Sequence, residues 1–249
     1  MATELQGTND RNFYSESVHY LSKENISSFR KAISERGIYI NSVLDKIIQM
    51  DKKFGPLMIL ELGAGTCLTS LILKSRIGRG EFTCMDISAE RMAKLADDIA
   101  TLVGSNTHGM KFVEGDFTFA LPFQDNEFDI VMFDAALHHS RNIWTTLKES
   151  RRIVKSTGAV TAMREAYLSR FSYGFSINRL LKSPEFRTGV AENAYLKDQY
   201  RYYFLACGLN PEFLPVFSNW KWKSLSLLNG LILSKYNIWS TPLKQRGQR

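Results

Sequence analysis

The sequence lacks the features that mark secreted and membrane-spanning proteins. Its longest apolar stretch, around residues 56–73, is interrupted by Glu61 and two glycines, so it does not supply the about 20 lipid-facing residues of a bilayer span. The first residues, MATELQGTNDRNFYSES, have neither the basic nor the apolar region of a secretory signal. These absences predict a cytoplasmic protein without a transmembrane segment.

Cysteine is scarce. Cys67, Cys84 and Cys207 are odd in number, widely spaced, and form neither a CxxC pair nor a metal quartet. Reduced thiols, or small buried hydrophobic side chains, are the simplest interpretations. The sequence therefore predicts no metal site.

Charge is unevenly divided along the chain. Residues 1–139 hold 14 Lys and Arg against 19 Asp and Glu, whereas residues 140–249 hold 18 against 6. A basic second half attracts phosphates, carboxylates, nucleic acid or anionic membrane surfaces, although much of such an excess is ordinary solvated surface. We therefore expect the two halves to face different partners.

Between residues 55 and 165, short apolar runs alternate with segments of helical composition. The runs are LMILEL, EFTCMD, MKFVEG, FDIVMF and AVTAMRE. Short apolar runs with helical segments between most of them are typical of parallel strands joined by crossover helices. The sequence therefore predicts an α/β fold, with a three-layer, doubly wound sheet.

The flanking segments predict further elements. Residues 22–52 predict two helices separated by Gly37, and a helix near residues 197–207 is expected to end at Gly208. The runs PEFLPVF and SLSLLNGLILSKY predict two closing strands.

The alternation also suggests how the chain is organised. Residues 166–195 are rich in Arg, Ser, Tyr and Phe and interrupt the sheet pattern. We expect an N-terminal helical cap segment over residues 1–54. The main domain is expected over residues 55–249, with a substrate-cap insertion at about 166–195.

The first strand ends in ELGAGT, a glycine-spaced turn that lets a ligand approach the backbone. An ordinary strand-to-helix turn explains GxG alone equally well. The dinucleotide pattern GxGxxG needs a third glycine where Leu68 stands, and a P-loop needs a Lys and a Ser or Thr that are also missing. Glu61 suits a ligand with an ammonium group better than it suits a pyrophosphate.

Carboxylates end the next two strands. Asp86 can accept hydrogen bonds from both hydroxyls of a ribose, or it can cap the following helix. Asp116 offers an acceptor for an exocyclic amine, and Phe117 offers an aromatic face for a base. Since these strand ends meet at one edge of a parallel sheet, together they describe an adenosine-shaped site.

In order and spacing, ELGAGT, MDIS, EGDFTFALPFQDNEFDIV and FDAALHH resemble the motifs of class I S-adenosylmethionine-dependent methyltransferases, in particular their small-molecule, type 11-like branch. The resemblance covers roughly residues 55–165 and extends loosely to the two closing strands. It implies a Rossmann-like, mostly parallel sheet of seven strands in the order 3-2-1-4-5-7-6, with helical cap elements. It also implies S-adenosyl-L-methionine as the cofactor.

The resemblance further implies which residues contact the cofactor. The expected contacts are Glu61, Gly63, Ala64 and Gly65 at the methionine end and its loop, Asp86 at the ribose, Ile87, Asp116 and Phe117 at the adenine, and Asp134 and Ala135 beside the methionine portion.

Candidate catalytic residues follow the fourth and fifth strands. His138 and His139 are candidates for a general base, and a purely structural role in the loop is the alternative for the second histidine. Glu165 is expected to act as a base or to orient one, and Arg164 to bind an acidic group of the substrate; pairing of these two residues with each other is also open.

Aromatic side chains of the two cap elements are candidates for the substrate site. Tyr20 of the N-terminal segment and Tyr167 of the insertion are expected to cover the cleft. Aromatic packing within the cap is the alternative for each of them.

These features predict an enzyme that transfers a methyl group to an O or N atom of a small metabolite, with anionic and carbohydrate-like acceptors both open. Two alternatives remain: an RNA or protein methyltransferase that uses the basic second half, and a non-catalytic nucleotide-binding scaffold subunit. Nucleic acid is disfavoured, though not excluded, because no NPPY-like motif follows the fourth strand. A homodimer is left open.

Overall fold

The computed structural model describes residues 26–168, 191–216 and 236–243, together with residues 174, 177, 178, 181 and 182. The prediction for Tyr20 lies outside these residues. Within the described ranges, no helix combines the length and the apolar character that a bilayer span requires.

Helices and strands alternate through the central part of the chain. The helices are α1 (Ile26–Phe54), α2 (Leu68–Ile77), α3 (Ala89–Val103), α4 (Ile143–Ile153) and α5 (Lys197–Ala206), with a 3₁₀ turn at Leu137–His139. The strands are β1 (Met58–Leu62), β2 (Glu81–Asp86), β3 (Met110–Glu114), β4 (Phe128–Asp134), β5 (Val154–Met163), β6 (Tyr167–Leu168), β7 (Tyr195–Leu196), β8 (Leu209–Pro215) and β9 (Tyr236–Pro242).

Seven strands form one sheet in the order β3-β2-β1-β4-β5-β9-β8. The pairs from β3 to β5 are parallel, and β9 runs antiparallel to both β5 and β8. Within this sheet β8 and β9 are the sixth and seventh strands along the chain, so the predicted order 3-2-1-4-5-7-6 is confirmed. The parallel strands therefore all end at one edge, where a doubly wound sheet binds its ligands.

Each face of the sheet carries its own apolar cluster. Ile59 packs in the cluster that includes residues of α1, α2 and α3, whereas its neighbour Leu60 packs in the cluster that includes residues of α4 and α5. Successive side chains of a strand point to opposite faces, and burial on both faces explains why LMILEL is almost uninterruptedly apolar. The predicted three layers are confirmed: helices, sheet, helices.

Helix α1 replaces the two helices that the sequence predicts. It runs without a break through Gly37, so the expectation that Gly37 separates two helices is wrong. Ile40, Val43, Leu44 and Ile47 are fully buried at helical spacing and join the cluster that lies on the sheet. Burial of this stripe outweighs the roughly 1 kcal/mol cost of a helical glycine. The N-terminal segment therefore shares the core of the sheet, and the boundary at residue 54 stays a prediction.

The C-terminal elements follow the prediction with one difference. Helix α5 ends just before Gly208, whose φ of 76° is typical of the glycine after a helix end. Strand β8 covers most of the run PEFLPVF. The last strand, β9, begins at Tyr236, the final residue of the run predicted for it, and the earlier residues of that run lie outside the described ranges.

The two ends of the insertion lie side by side. β6 pairs in parallel with β7 in a separate two-stranded sheet, with Tyr167 opposite Tyr195. The described ends of the insertion are therefore adjacent, a few residues after β5.

Candidate functional site

A cavity opens at the carboxyl ends of the parallel strands. Its walls are formed by Arg36, Gly63, Ala64, Gly65, Thr66, Asp86, Ile87, Arg91, Asp116, Phe117, Thr118, Asp134, Ala135, Ala136, His139 and Arg164. This set contains nine of the ten residues predicted to contact the cofactor, and the exception is Glu61.

The turn after β1 is shaped by two glycines and closed by Asp86. Gly63 and Gly65 have φ values of 69° and 56°, in the left-handed region that favours glycine. The N–H of Gly63 donates to the carbonyl oxygen of Met85 at 2.9 Å, and the N–H of Gly65 donates to Oδ2 of Asp86 at 2.8 Å. The carboxylate that ends β2 therefore holds the turn that follows β1.

Asp86 does not cap α3, which was the second role that the sequence left open for it. The residue that caps α3 is Ser88, whose hydroxyl oxygen accepts from the N–H of Arg91 at 3.3 Å. Oδ1 of Asp86 accepts from the N–H of Ser88 at 3.2 Å. Burial raises the pKa of Asp86, and the hydrogen bond from Gly65 opposes that rise. Oδ1 accepts from Ser88 and Oδ2 accepts from Gly65, so each oxygen of the carboxylate keeps a second lone pair that could accept from a hydroxyl of a ligand.

Replacing Gly63 with alanine is expected to destabilise the fold by about 1–2 kcal/mol. A Cβ atom at Gly63 would lie 2.7 Å from Cβ of Ala136 and 3.0 Å from Cε1 of Phe117, and φ would remain in the left-handed region. Urea unfolding of the two proteins measures the loss. Gly37→Ala is the matched control: a Cβ there meets nothing within 4 Å, so this helical substitution should stabilise the fold by about 0.5–1 kcal/mol. Equal effects of the two substitutions would contradict the expected steric conflict.

Asp116 and Phe117, which follow β3, form another wall. Oδ1 of Asp116 accepts from the N–H and the hydroxyl of Thr118 at 2.9 and 2.6 Å, and Oδ2 lies 3.5 Å from Arg141. Phe117 packs edge-on against Phe133, with 5.7 Å between the ring centroids. An acceptor beside an aromatic ring suits a heterocycle that carries an amino group.

Asp134 joins three other elements at the cavity. Its buried carboxylate accepts from Nε of Arg36 at 2.6 Å, from Nε of Arg164 at 2.5 Å, and from the hydroxyl of Thr69. Burial alone would raise the pKa of Asp134, but the two guanidinium groups hold that pKa below its usual range. Arg164 therefore pairs with Asp134 and not with Glu165. Arg36 is a residue that no sequence motif singles out, because it comes from the middle of α1.

The histidine loop, residues 136–140, follows β4 and is held by Glu165. The carboxylate of Glu165 accepts from the backbone N–H groups of Ala136, Leu137 and His138 at 3.3, 3.2 and 2.9 Å. Its Oε2 also lies 2.7 Å from Nδ1 of His138. Glu165 is buried, so it is placed where it orients the loop and not where it could face the cavity as a base.

The two histidines of the loop have different surroundings. His138 is buried against Glu165, whereas His139 lines the cavity. Nδ1 of His139 lies 2.8 Å from the carbonyl oxygen of Ala191, at the end of the insertion. Of the three residues predicted to be catalytic, His139 is the one on the cavity wall.

Two further predicted residues lie away from the cavity wall. Oε2 of Glu61 accepts from the N–H of Ser70 at 3.0 Å and from its hydroxyl at 2.6 Å, so this carboxylate holds the start of α2. The sequence predicts a cofactor contact at Glu61, but Glu61 does not line the cavity. Tyr167 packs against Tyr200, with 5.0 Å between the ring centroids, and does not line the cavity either. This packing corresponds to the alternative that the sequence left open for Tyr167.

Residues 60–162 match the sequence profile of a methyltransferase domain. A demethylmenaquinone methyltransferase of Geobacillus stearothermophilus is 27% identical over 165 residues, which cover 66% of this chain and 65% of that protein. A hybrid PKS-NRPS synthetase of Penicillium oxalicum is 25% identical over 169 residues, which cover 66% of this chain but only 4% of that protein. The chain therefore spans less than two thirds of the length of each of these relatives.

The fold agrees with the profile. The solved structure of the trans-methyltransferase CalH in complex with SAH is similar with a TM-score of 0.56, at 17% identity, over 80% of this chain and 54% of that one. Residues 60–162 therefore match a methyltransferase domain in sequence, and the chain has the fold of a solved methyltransferase.

The cavity of the methyltransferase domain has the chemistry that S-adenosylmethionine requires. Asp86 and Asp116 line the cavity with acceptors that would suit ribose hydroxyls and an adenine amine, and Arg36 lines it with a guanidinium that would suit the methionine carboxylate. The missing side chain of Gly63, where a Cβ would clash with Ala136, lets the backbone turn sharply at the cavity wall. The residues present therefore fit the cofactor, and the role of each residue stays a prediction.

Proposed function

We propose that this chain methylates an oxygen or nitrogen atom of a small metabolite that carries a negative charge. The observation that carries the proposal is the pair of guanidinium groups that share Asp134. Each uses its Nε atom for that carboxylate, and within the described residues the terminal nitrogens of Arg164 have no protein partner. A carboxylate or phosphate on the acceptor would supply the bidentate partner that a guanidinium prefers.

The chemistry then requires little of the protein beyond alignment. S-adenosylmethionine supplies a methyl group on a sulfonium sulfur, already activated for in-line displacement. The protein has to align the acceptor and exclude water from the cavity. Arg164 would hold the anionic group of the acceptor, while the glycine turn and Asp86 hold the adenosine portion of the cofactor.

His139 is the proposed general base. It lines the cavity five residues after the end of β4, in the same wall set as Arg164, so both would face an acceptor bound there. A base contributes about 10²–10⁴-fold when the acceptor is a hydroxyl, which is a poor nucleophile until its proton leaves. His139→Gln should therefore slow methylation of a hydroxyl acceptor by about that factor.

Cofactor binding is expected to depend on Asp86. Isothermal calorimetry with S-adenosylhomocysteine should show binding by the wild type, and Asp86→Ala should weaken it by about tenfold because charge-assisted hydrogen bonds to the ribose are lost. Asp98→Ala, which removes an exposed carboxylate of α3, is the control and should leave the affinity unchanged. No binding by the wild type at near-millimolar ligand would overturn the cofactor assignment.

The acceptor class is tested with matched pairs. The protein is incubated with methyl-labelled S-adenosylmethionine and a set of small hydroxy acids, each beside its neutral methyl ester. We expect transfer to the acids to exceed transfer to the esters by about tenfold or more, and the difference to shrink in Arg164→Gln. Equal transfer to acid and ester would contradict an anionic acceptor.

A neutral quinone-type acceptor is the second candidate. It is favoured by the 27% identity to a protein whose name specifies demethylmenaquinone as its substrate. Transfer to the reduced, quinol form of a neutral quinone together with no transfer to the hydroxy acids would support this candidate against the first.

A further inference from the structure

The histidine loop is held from a second side by residues 191–193, which lie at the end of the insertion and are here called the latch segment. The N–H and the side-chain amide of Asn193 donate to the carbonyl oxygen of His138 at 2.9 and 3.0 Å. The same amide also donates to the carbonyl oxygen of Ser140 at 2.9 Å. These hydrogen bonds fix Asn193 against the loop, so the preceding residue, Glu192, is placed beside the histidines.

Glu192 turns its carboxylate toward both histidine rings. Its side chain is 13% exposed, and its Oε2 lies 3.1 Å from Nδ1 of His139 and 4.0 Å from Nε2 of His138. Glu165, the other carboxylate of this cluster, is already used by His138 and by backbone N–H groups of the loop. Among the residues that the structure describes, Glu192 therefore brings a second carboxylate to the histidine pair, and this one contacts His139.

The neighbours of Nδ1 determine the tautomer of His139. The carbonyl oxygen of Ala191 lies 2.8 Å from Nδ1 and can only accept, so Nδ1 carries a hydrogen in the neutral ring as well as in the charged ring. Nε2 is then the nitrogen that takes up a proton. A carboxylate beside the Nδ1–H, as Glu192 is here, stabilises the imidazolium that results.

The groups around His139 also favour its charged form. Burial alone would lower the pKa of His139, but the carboxylate of Glu192 and the carbonyl of Ala191 raise that pKa above its ordinary value. The same contact lowers the pKa of Glu192 against the effect of burial. Without this carboxylate, a buried imidazole would be a weaker base.

We propose that Glu192 is a positioning residue for His139. Its carboxylate lies beside Nδ1, whose hydrogen the carbonyl oxygen of Ala191 accepts, and it stabilises the imidazolium that forms when Nε2 takes the proton of the methyl acceptor. In that step the O–H or N–H bond of the acceptor breaks and its proton moves to Nε2. The electron pair left on the acceptor forms the new bond to the methyl carbon, and the pair of the broken S–C bond stays on sulfur. The inference rests on the proposed role of His139 as base.

Histidine NMR tests this inference without any acceptor. The full chain, labelled with ¹⁵N and saturated with S-adenosylhomocysteine, is titrated between about pH 5 and pH 9, and long-range ¹H–¹⁵N spectra report the tautomer. We expect the Nδ1–H tautomer for His139 in the wild type. In Glu192→Gln we expect the titration midpoint of His139 to fall by about one pH unit or more. Glu212→Gln, which removes an exposed carboxylate paired with Lys46, is the matched control and should not move it.

Three results would overturn the inference. The first is a midpoint that moves by less than about 0.3 pH unit in Glu192→Gln. The second is an Nε2–H tautomer in the wild type, a readout that needs no variant to fold. The third is stoichiometric binding of Zn²⁺ that broadens both histidine resonances. His138, His139 and Glu192, whose ligand atoms lie within 4.8 Å of one another, would then hold a metal ion, and His139 would not serve as a base.

These readouts are independent of turnover. The proposed role of His139 fails if His139→Gln keeps full transfer activity on a hydroxyl acceptor. The inference about Glu192 fails on the titration alone, so the two failures are distinguishable.

Discussion

Replacing Asp134 with alanine is expected to lower the free energy of unfolding by about 3–5 kcal/mol, the usual loss when one partner of a buried ion pair is removed. The side chain of Asp134 is fully buried, and its loss leaves Arg36 and Arg164, which are 21% and 29% exposed, side by side without the charge between them. The hydroxyl of Thr69 loses its acceptor as well. Urea unfolding of the protein without cofactor measures the change.

Asp129→Ala is the matched control because it removes a carboxylate from the same strand, near its other end. Asp129 accepts from the N–H of Met58 and from Nζ of Lys155, each at 2.9 Å, and the lysine side chain is 35% exposed. With one partly exposed lysine in place of two guanidinium groups, and a carboxylate that is itself 17% exposed, the expected loss is about 1–2 kcal/mol. A loss at Asp134 no larger than the loss at Asp129 would contradict the buried-pair explanation.

The contacts of Asp134 show why α1 belongs to the site. One carboxylate at the end of β4 holds Arg36 of α1, Thr69 of α2 and Arg164 after β5. The sequence predicts an N-terminal helical cap segment over residues 1–54, and a side chain from this segment, Arg36, forms part of the cavity wall. Displacement of α1 would therefore remove both a wall of the cavity and one of the two counter-charges of Asp134.

The strand ends were predictable from the sequence for a simple physical reason. A strand buried on both faces is almost uninterruptedly apolar, so a carboxylate at the end of such a run, as at Asp86 or Asp134, marks the point where the strand leaves the core. In a parallel sheet these points share one edge. Local pattern and sheet topology together therefore predict that Asp86 and Asp134 lie at this edge, and both residues line the cavity.

The partners of these residues were not predictable, because they come from distant parts of the chain. Arg36 lies 98 positions before Asp134, and Ala191 lies 52 positions after His139. No local pattern reports such contacts. Gly37 is a case in which a local pattern predicts too much. The glycine predicts a helix end, but the helix continues through it because the buried side chains that follow keep their helical spacing. Tertiary burial outweighs a local preference of about 1 kcal/mol.

Glu61 shows how a residue type alone can mislead. A carboxylate that ends an apolar run suggests a ligand contact, but here it compensates for a missing helix cap. The N-cap residue of α2 is Cys67, whose side chain makes no capping hydrogen bond, and Glu61 accepts from the N–H of Ser70 in the first turn of that helix. The helix N-terminus favours a negative charge there, and complete burial opposes it.

The balance between these effects predicts a pH dependence of stability. Burial raises the pKa of Glu61 from 4.5 to about 7, against the hydrogen bond from Ser70. The folded protein therefore keeps a proton on Glu61 at pH values where the unfolded chain has lost it. The stability that this group contributes is fully present below about pH 4.5 and is lost as the pH rises to about 7, by roughly 3 kcal/mol in all.

Glu61→Gln is expected to gain about 2–3 kcal/mol of unfolding free energy relative to the wild type between about pH 5 and pH 8.5. Glutamine keeps the shape of the side chain and an oxygen for the Ser70 N–H, but it does not titrate, so the buried charge that destabilises the wild type at high pH is absent. Glu81→Gln, which changes an exposed carboxylate paired with Lys111, is the control and should shift by less than about 0.5 kcal/mol over this range. A difference between Glu61→Gln and wild type that stays constant with pH would mean that Glu61 is charged throughout, and its hydrogen bonds to Ser70 would then outweigh its burial.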